Sequence, residues 1–163
     1  MSSEDQSALS TGRHPELEGH GLRIALACGR FNDVITERLL AGARSRLREL
    51  RVTDEHITEV WAPGAFELPL VAKTLAASGR YDAVITLGAV IRGGTPHFEF
   101  VAGECAAGVL RVGLDTGVPV VFGVLTVDTV QQAEERSVDG PGNKGVESAE
   151  SAVEMASILR TIR

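Results

Sequence analysis

The sequence predicts an α/β fold, a three-layer α/β/α sandwich around a four-stranded parallel sheet. Three observations carry this. Short apolar runs alternate along the chain with longer segments whose apolar residues recur at helical spacing. The run Ala83–Ile91 is almost wholly apolar, as a strand covered on both faces should be. Gly, Pro and Asn punctuate the joins between the two kinds of segment. Alternating strands and helices imply parallel strands joined by helical crossovers on both faces.

The elements follow in order. Met1–His20 is polar, rich in Ser, Glu, Gly and His, and reads as a tail with a mobile start. It lacks the apolar centre of a signal peptide. Leu22–Ala27 is the first strand, and Cys28–Asn32 the loop after it, with Asn32 or Asp33 as helix cap. From Val34 to Leu50, the positions Ile35, Leu39, Ala43, Leu47 and Leu50 form an apolar stripe opposite a charged face. His56–Ala62 is the second strand, broken by Pro63-Gly64. Phe66–Ser78 is a helix with Pro69 near its start and Gly79 at its end. After the strand Ala83–Ile91 come the loop Arg92–His97 and the helix Phe98–Leu114. Val118–Val127 is the fourth strand and Val130–Arg136 a short helix. A Gly/Pro loop, Ser137–Asn143, leads to the last helix, Lys144–Ile162.

Bulk properties exclude several functions. The chain has 163 residues, the size of one domain: a tail over 1–20 and a single domain over 21–163. Its formal charge is −6 without a basic run, which argues against nucleic acid and anionic membrane as partners. No apolar stretch is long enough to span a bilayer, and cytoplasm is the expected location. Cys28 and Cys105 fit no metal-ligand spacing and read as buried thiols in a reducing compartment. No metal site is expected.

In parallel sheets ligands bind beyond the carboxyl ends of the strands. Arg92–His97 lies there. Gly93 and Gly94 let a backbone approach a ligand, Thr95 adds a hydroxyl, and free N–H groups at a helix start favour an anion such as phosphate. The loop lacks the Gly-Lys-Ser/Thr ending of a Walker loop. By itself it reads equally as a plain strand–helix connection. His97 then reads as a general acid/base, or as a helix-capping or solvent-facing histidine. His14, His20 and His56 are peripheral. In Gly64–Pro69, Glu67 either complements a helix dipole or hydrogen-bonds a polar heterocycle. Phe31 and Phe122 either stack on such a ring or belong to the core. Arg136 and Lys144 bracket the Gly/Pro loop, and Arg136, with its bidentate guanidinium, is the better phosphate ligand. Arg92 is a further candidate.

Five stretches occur together and in order: Gly29–Asn32, Pro63–Pro69, Thr86–Phe98, Val121–Thr126 and Asn143–Gly145. In these the chain resembles the 6,7-dimethyl-8-ribityllumazine synthase family of riboflavin biosynthesis, over about Leu22 to Arg160. The resemblance implies a flavodoxin-like strand order and a transferase without metal or cofactor. The reaction it implies condenses 5-amino-6-(D-ribitylamino)uracil with 3,4-dihydroxy-2-butanone 4-phosphate, releasing phosphate and water.

By the same resemblance His97 transfers protons, while Gly94, Thr95 and Arg136 bind phosphate. Phe31 stacks on the pyrimidine. Ala65, Phe66 and Glu67 hold the ribityl chain, and Ala89, Val90 and Ile91 the ring edge. Phe122 and Arg136 come from a neighbouring subunit. Pentamers are implied and, from the short Ser137–Asn143 turn, a 60-subunit icosahedral shell. Association with riboflavin synthase and a tail strand added to a neighbour's sheet belong to the same expectation. Pro96 stands where many members carry Thr and removes one N–H from the loop. A carrier that holds a flavin-like ring without turnover, and a purely structural shell protein, are the alternative readings.

Overall fold

The computed structural model describes residues 15–163. His14 and most of the expected tail, including any strand it lends to a neighbour, lie outside the described residues. Within them, Leu17 already packs against the core and the Gly19 N–H donates to the Leu50 carbonyl at 2.7 Å.

The strands are β1 (Ile24–Gly29), β2 (Ile57–Ala62), β3 (Ala83–Ile91) and β4 (Val120–Val127). The helices are α1 (Asp33–Glu49), α2 (Leu68–Ala77), α3 (His97–Thr116), α4 (Val130–Glu135) and α5 (Lys144–Ile162). All strands are parallel, in the order β2-β1-β3-β4. Side chains alternate between the faces, as strand geometry requires. Ile24, Leu26, Cys28, Ile85 and Leu87 meet α1 and α5, whereas Ala25, Ala27 and Val84 meet α2 and α3. The predicted three-layer sandwich is the observed one.

Small residues let α1 and α5 approach closely. A Cβ on Gly145 would lie 1.9 Å from the Leu39 carbonyl oxygen, so only glycine fits there. Leu39 and Leu47, fully buried beneath, each contribute about 1.5–3 kcal/mol by leaving water.

Element bounds differ from the sequence reading where backbone donors intervene. β1 lies two residues later than expected, because the Arg23 N–H goes to the Asp82 carboxylate and the ladder runs on to Gly29. β4 starts at Val120, after Pro119, which has no N–H to give. A 3-10 turn, Ala65–Glu67, precedes α2, so the α-helix proper begins at Leu68 next to Pro69. α3 begins at His97 rather than Phe98, with Pro96 as its N-cap.

Asn32 occupies the N-cap of α1 as expected, but its side chain does not cap. It adopts φ 62°, and its Nδ2 donates to the Ala89 carbonyl at 2.9 Å. Short polar side chains tolerate this left-handed conformation best among non-glycine residues.

The sheet opens towards the carboxyl ends of its strands. Pairing of β1 with β3 stops at Cys28 and Leu87, whereas β3 and β4 stay paired to Ile91 and Val127. The last residues of β3 therefore border a crevice. The crossovers diverge at this point of the sheet, and parallel sheets bind ligands there.

Candidate active site

Three loops converge on the crevice. The Arg30 N–H donates to the Ala62 carbonyl at 2.9 Å and the Phe31 N–H to Pro63 at 3.0 Å, bolting the β1 loop to the β2 loop. A Cβ on Gly64 would meet the Glu67 Oε2 at 3.5 Å and the Phe31 Cβ at 3.6 Å. Glu67 and Phe31 thus both border Gly64. Phe31 and Phe66 are 74% and 59% exposed, a large apolar area to leave uncovered.

The cavity so formed measures about 630 Å³. Phe31 and Ala65–Glu67 form one side, Ala89–Ile91 the sheet edge, and Gly93, Thr95 and His97 the opposite rim. Phe98, Phe100 and Val101 from the start of α3 also line it; the sequence reading did not assign them. Gly94 sits between two lining residues of the same exposed loop.

The rim is rich in free donors. Within the loop one backbone bond forms, from the Glu99 N–H to the Pro96 carbonyl at 3.1 Å. The N–H groups of Gly93, Gly94, Thr95, His97 and Phe98 take no partner from the loop itself. Nothing lies within 4 Å of a Cβ built on Gly93 or Gly94, so the space over the glycines is open. The arrangement suits an anion at the rim, with the exposed His97 imidazole at the helix start beside it.

Arg92 is placed differently from the other candidate cations. Its Nε donates to Asp128 Oδ1 at 2.8 Å, its Nη1 donates to Glu99, and its guanidinium lies 4.3 Å from the centre of the Phe98 ring. The neighbouring guanidinium holds the Glu99 carboxyl below the ordinary carboxylate range.

Phe122, Arg136 and Lys144 are brought together elsewhere. They line a second cavity, of about 260 Å³, over β4 and the start of α5. Glu147, Ser148 and Ser151 complete it, and these too were not assigned from sequence. Their spacing from Lys144 along one helix face was the available signal. The Lys144 N–H donates to the Arg136 carbonyl at 2.9 Å, and Lys144 Nζ pairs with Glu147 at 2.8 Å. Arg136 Nη1 donates to the Gln132 carbonyl at 3.1 Å.

Asn143 locks the loop beneath them. It is 1% exposed; its Oδ1 accepts from the Gly145 N–H at 2.7 Å. Its Nδ2 donates to the Ser137 and Arg38 carbonyls at 2.9 and 3.2 Å.

Cys28 and Cys105 are buried and unpaired, and burial pushes their thiols up to about 12 and about 11. Among the described residues, no group of His, Cys, Asp and Glu is arranged to hold a metal ion, and no helix is long and apolar enough to cross a membrane.

Comparison with known proteins supplies the remaining findings. The family model for 6,7-dimethyl-8-ribityllumazine synthase matches residues 21–160. A protein of Edwardsiella ictaluri (strain 93-146) named 6,7-dimethyl-8-ribityllumazine synthase is 56% identical over 142 residues. That match covers 86% of this chain and 91% of the relative.

Proposed function

The chain belongs to the 6,7-dimethyl-8-ribityllumazine synthase family, and we propose that its active site is assembled from the two cavities above, contributed by neighbouring copies. The protein is a transferase that condenses 5-amino-6-(D-ribitylamino)uracil with 3,4-dihydroxy-2-butanone 4-phosphate, a step of riboflavin biosynthesis.

One observation carries the proposal. The cavity with His97 and the cavity with Phe122, Arg136 and Lys144 share no lining residue, and each is open and half-furnished. One has aromatic surface, a carboxylate and N–H donors; the other has the cations. A head-to-tail interface sets two such unlike surfaces against each other and makes a ring where its rotation closes. A cyclic pentamer, and beyond it a closed icosahedral shell, is the assembly that family membership favours. Cytoplasmic location and association with riboflavin synthase rest on the same ground.

Within the joint site the roles are those that the family resemblance implies. Phe31 stacks on the pyrimidine, Glu67 and the amides of Ala65 and Phe66 bind the ribityl hydroxyls, and Ala89–Ile91 meet the ring edge. Gly94 and Thr95 take the phosphate from one side. Arg136 and Lys144 of the neighbouring copy take it from the other. The pyrimidine amine attacks the ketone, and loss of water gives an imine. Phosphate leaves, and the ribitylamino nitrogen closes the ring with loss of a second water. His97 shuttles the protons these steps require. Holding both reactants in register supplies up to roughly 7–11 kcal/mol of the acceleration in favourable cases.

The test follows lumazine absorbance on mixing the two substrates with assembled protein. A rate equal to the uncatalysed condensation refutes the activity. His97→Ala should slow turnover by up to roughly 100-fold, the lower range for general acid–base catalysis. A variant as fast as the parent removes His97 from its role.

A further inference from the structure

The open loop that carries the phosphate donors needs something to hold it. Gly93 and Gly94 give it backbone freedom, and a single internal hydrogen bond closes it. N–H groups that converge on an anion must be fixed before the anion arrives. We propose that Arg92 is a positioning residue that clamps this loop, and not a ligand of the phosphate. The proposal deepens the reading above, since it rests on Gly94 and Thr95 binding the phosphate.

The geometry ties three elements to one residue. The Arg92 N–H donates to the Val127 carbonyl at 2.9 Å, which fixes the loop's start to the end of β4. Its guanidinium turns back over the loop to Glu99, in the first turn of α3 and two residues past His97. The same group reaches Asp128 at 2.8 Å, at the entry to α4, and stacks on Phe98 at 4.3 Å. The main-chain N–H holds the loop's start, and the planar fork links the first turn of α3 to the entry of α4, a two-point geometry that lysine supplies only in part.

Charge argues against Arg92 as a phosphate ligand. Its guanidinium already faces two carboxylates, Glu99 and Asp128, and an added phosphate at that place meets both of them. Arg92 and its partners are exposed, so the clamp contributes orientation rather than much stability. The contact also continues towards the second cavity. The Asp128 N–H donates to Gln132 Oε1, Thr129 caps α4 through the Gln132 N–H, and α4 ends next to Arg136. One clamp thus orients the His97 half-site and the base of the Arg136 half-site.

The test measures kinetics with the butanone phosphate varied, and inhibition by inorganic phosphate, in Arg92→Gln, Arg92→Lys, Glu99→Gln, the double variant R92Q/E99Q, and Thr95→Ala. Released donors shift by about an ångström, which costs between roughly 10- and 100-fold in kcat/KM. Expected are matching rises in KM and in the phosphate inhibition constant for Arg92→Gln and Glu99→Gln. The double variant should be no worse than Arg92→Gln alone, and Arg92→Lys should restore part of the loss. Tighter phosphate binding in Glu99→Gln overturns the proposal, because freeing a ligand arginine and removing a negative charge has that effect. Unchanged constants in the Arg92 and Glu99 variants, with a rise in Thr95→Ala, refute the clamp alone. Unchanged constants in all variants refute the phosphate loop, and the clamp with it.

Discussion

His97→Ala and Arg136→Ala damage different cavities, so assembling the two variants together should rebuild intact sites. The magnitude follows from the two non-overlapping sets of lining residues. If each site takes His97 from one copy and Arg136 from the next, a single variant spoils every site in its ring. In a random one-to-one mixture, the copy giving His97 is intact half the time, and so is the copy giving Arg136. About one site in four is then complete. The background is low: loss of His97 removes a proton-transfer group worth up to roughly 100-fold. Loss of Arg136 removes a charged hydrogen bond worth about 1.5–3 kcal/mol, or roughly 10- to 100-fold. The assay is lumazine absorbance after the variants are refolded together, with differently tagged copies to confirm co-assembly. A control sharpens the result. Parent mixed one-to-one with a His97→Ala, Arg136→Ala double variant keeps about a quarter of its sites if sites are shared, and about half if each copy holds its own. Co-assembled singles that stay inactive, together with half-activity in the control, would refute a site built from two copies.

Other consequences are independent of this. Asn143→Ala breaks four hydrogen bonds around the Ser137–Asn143 loop, two buried and two part-buried, and strands their partners. It should cost about 3–5 kcal/mol in urea unfolding and weaken phosphate binding through Arg136 and Lys144. A loss under about 1 kcal/mol contradicts the role assigned to it. Cys28 and Cys105 should resist aromatic disulfide reagents near neutral pH in the folded protein and react at once on unfolding. Their folded thiols keep the proton up to about 12 and about 11, while the unfolded chain loses it near the ordinary value of 9.0. Above that value the unfolded state binds fewer protons. Stability is therefore full below pH 9.0 and falls as pH rises towards the folded values. Replacing both cysteines by alanine should flatten that alkaline slope, and an unchanged slope assigns it to other groups.

The elements of the fold were legible because their signals are local. Helical spacing over Ile35–Leu47, the almost wholly apolar run of β3, and Gly79 in its left-handed C-terminal place all act within a few residues. Of the motif stretches that resemble the lumazine synthase family, Gly29–Asn32, Pro63–Pro69 and the second half of Thr86–Phe98 fall at strand ends, whereas Val121–Thr126 lies within β4 and Asn143–Gly145 opens α5. The sequence alone determined which segments are strands, which loops hold unusual chemistry, and that Arg92–His97 is the richest of them. Tertiary structure decided what those residues meet. Asn32 reads locally as a cap, yet its amide serves Ala89, 57 positions away, because β1 and β3 are neighbours. Arg92 reads locally as a cation beside a phosphate loop, yet Asp128, 36 positions on, and Glu99 occupy it. Whether Phe122 and His97 share a cavity was equally out of reach, and within one chain they do not. Periodicity and turn chemistry report contacts within about a helical turn. Strand order and the meeting of distant side chains depend on how the whole core closes.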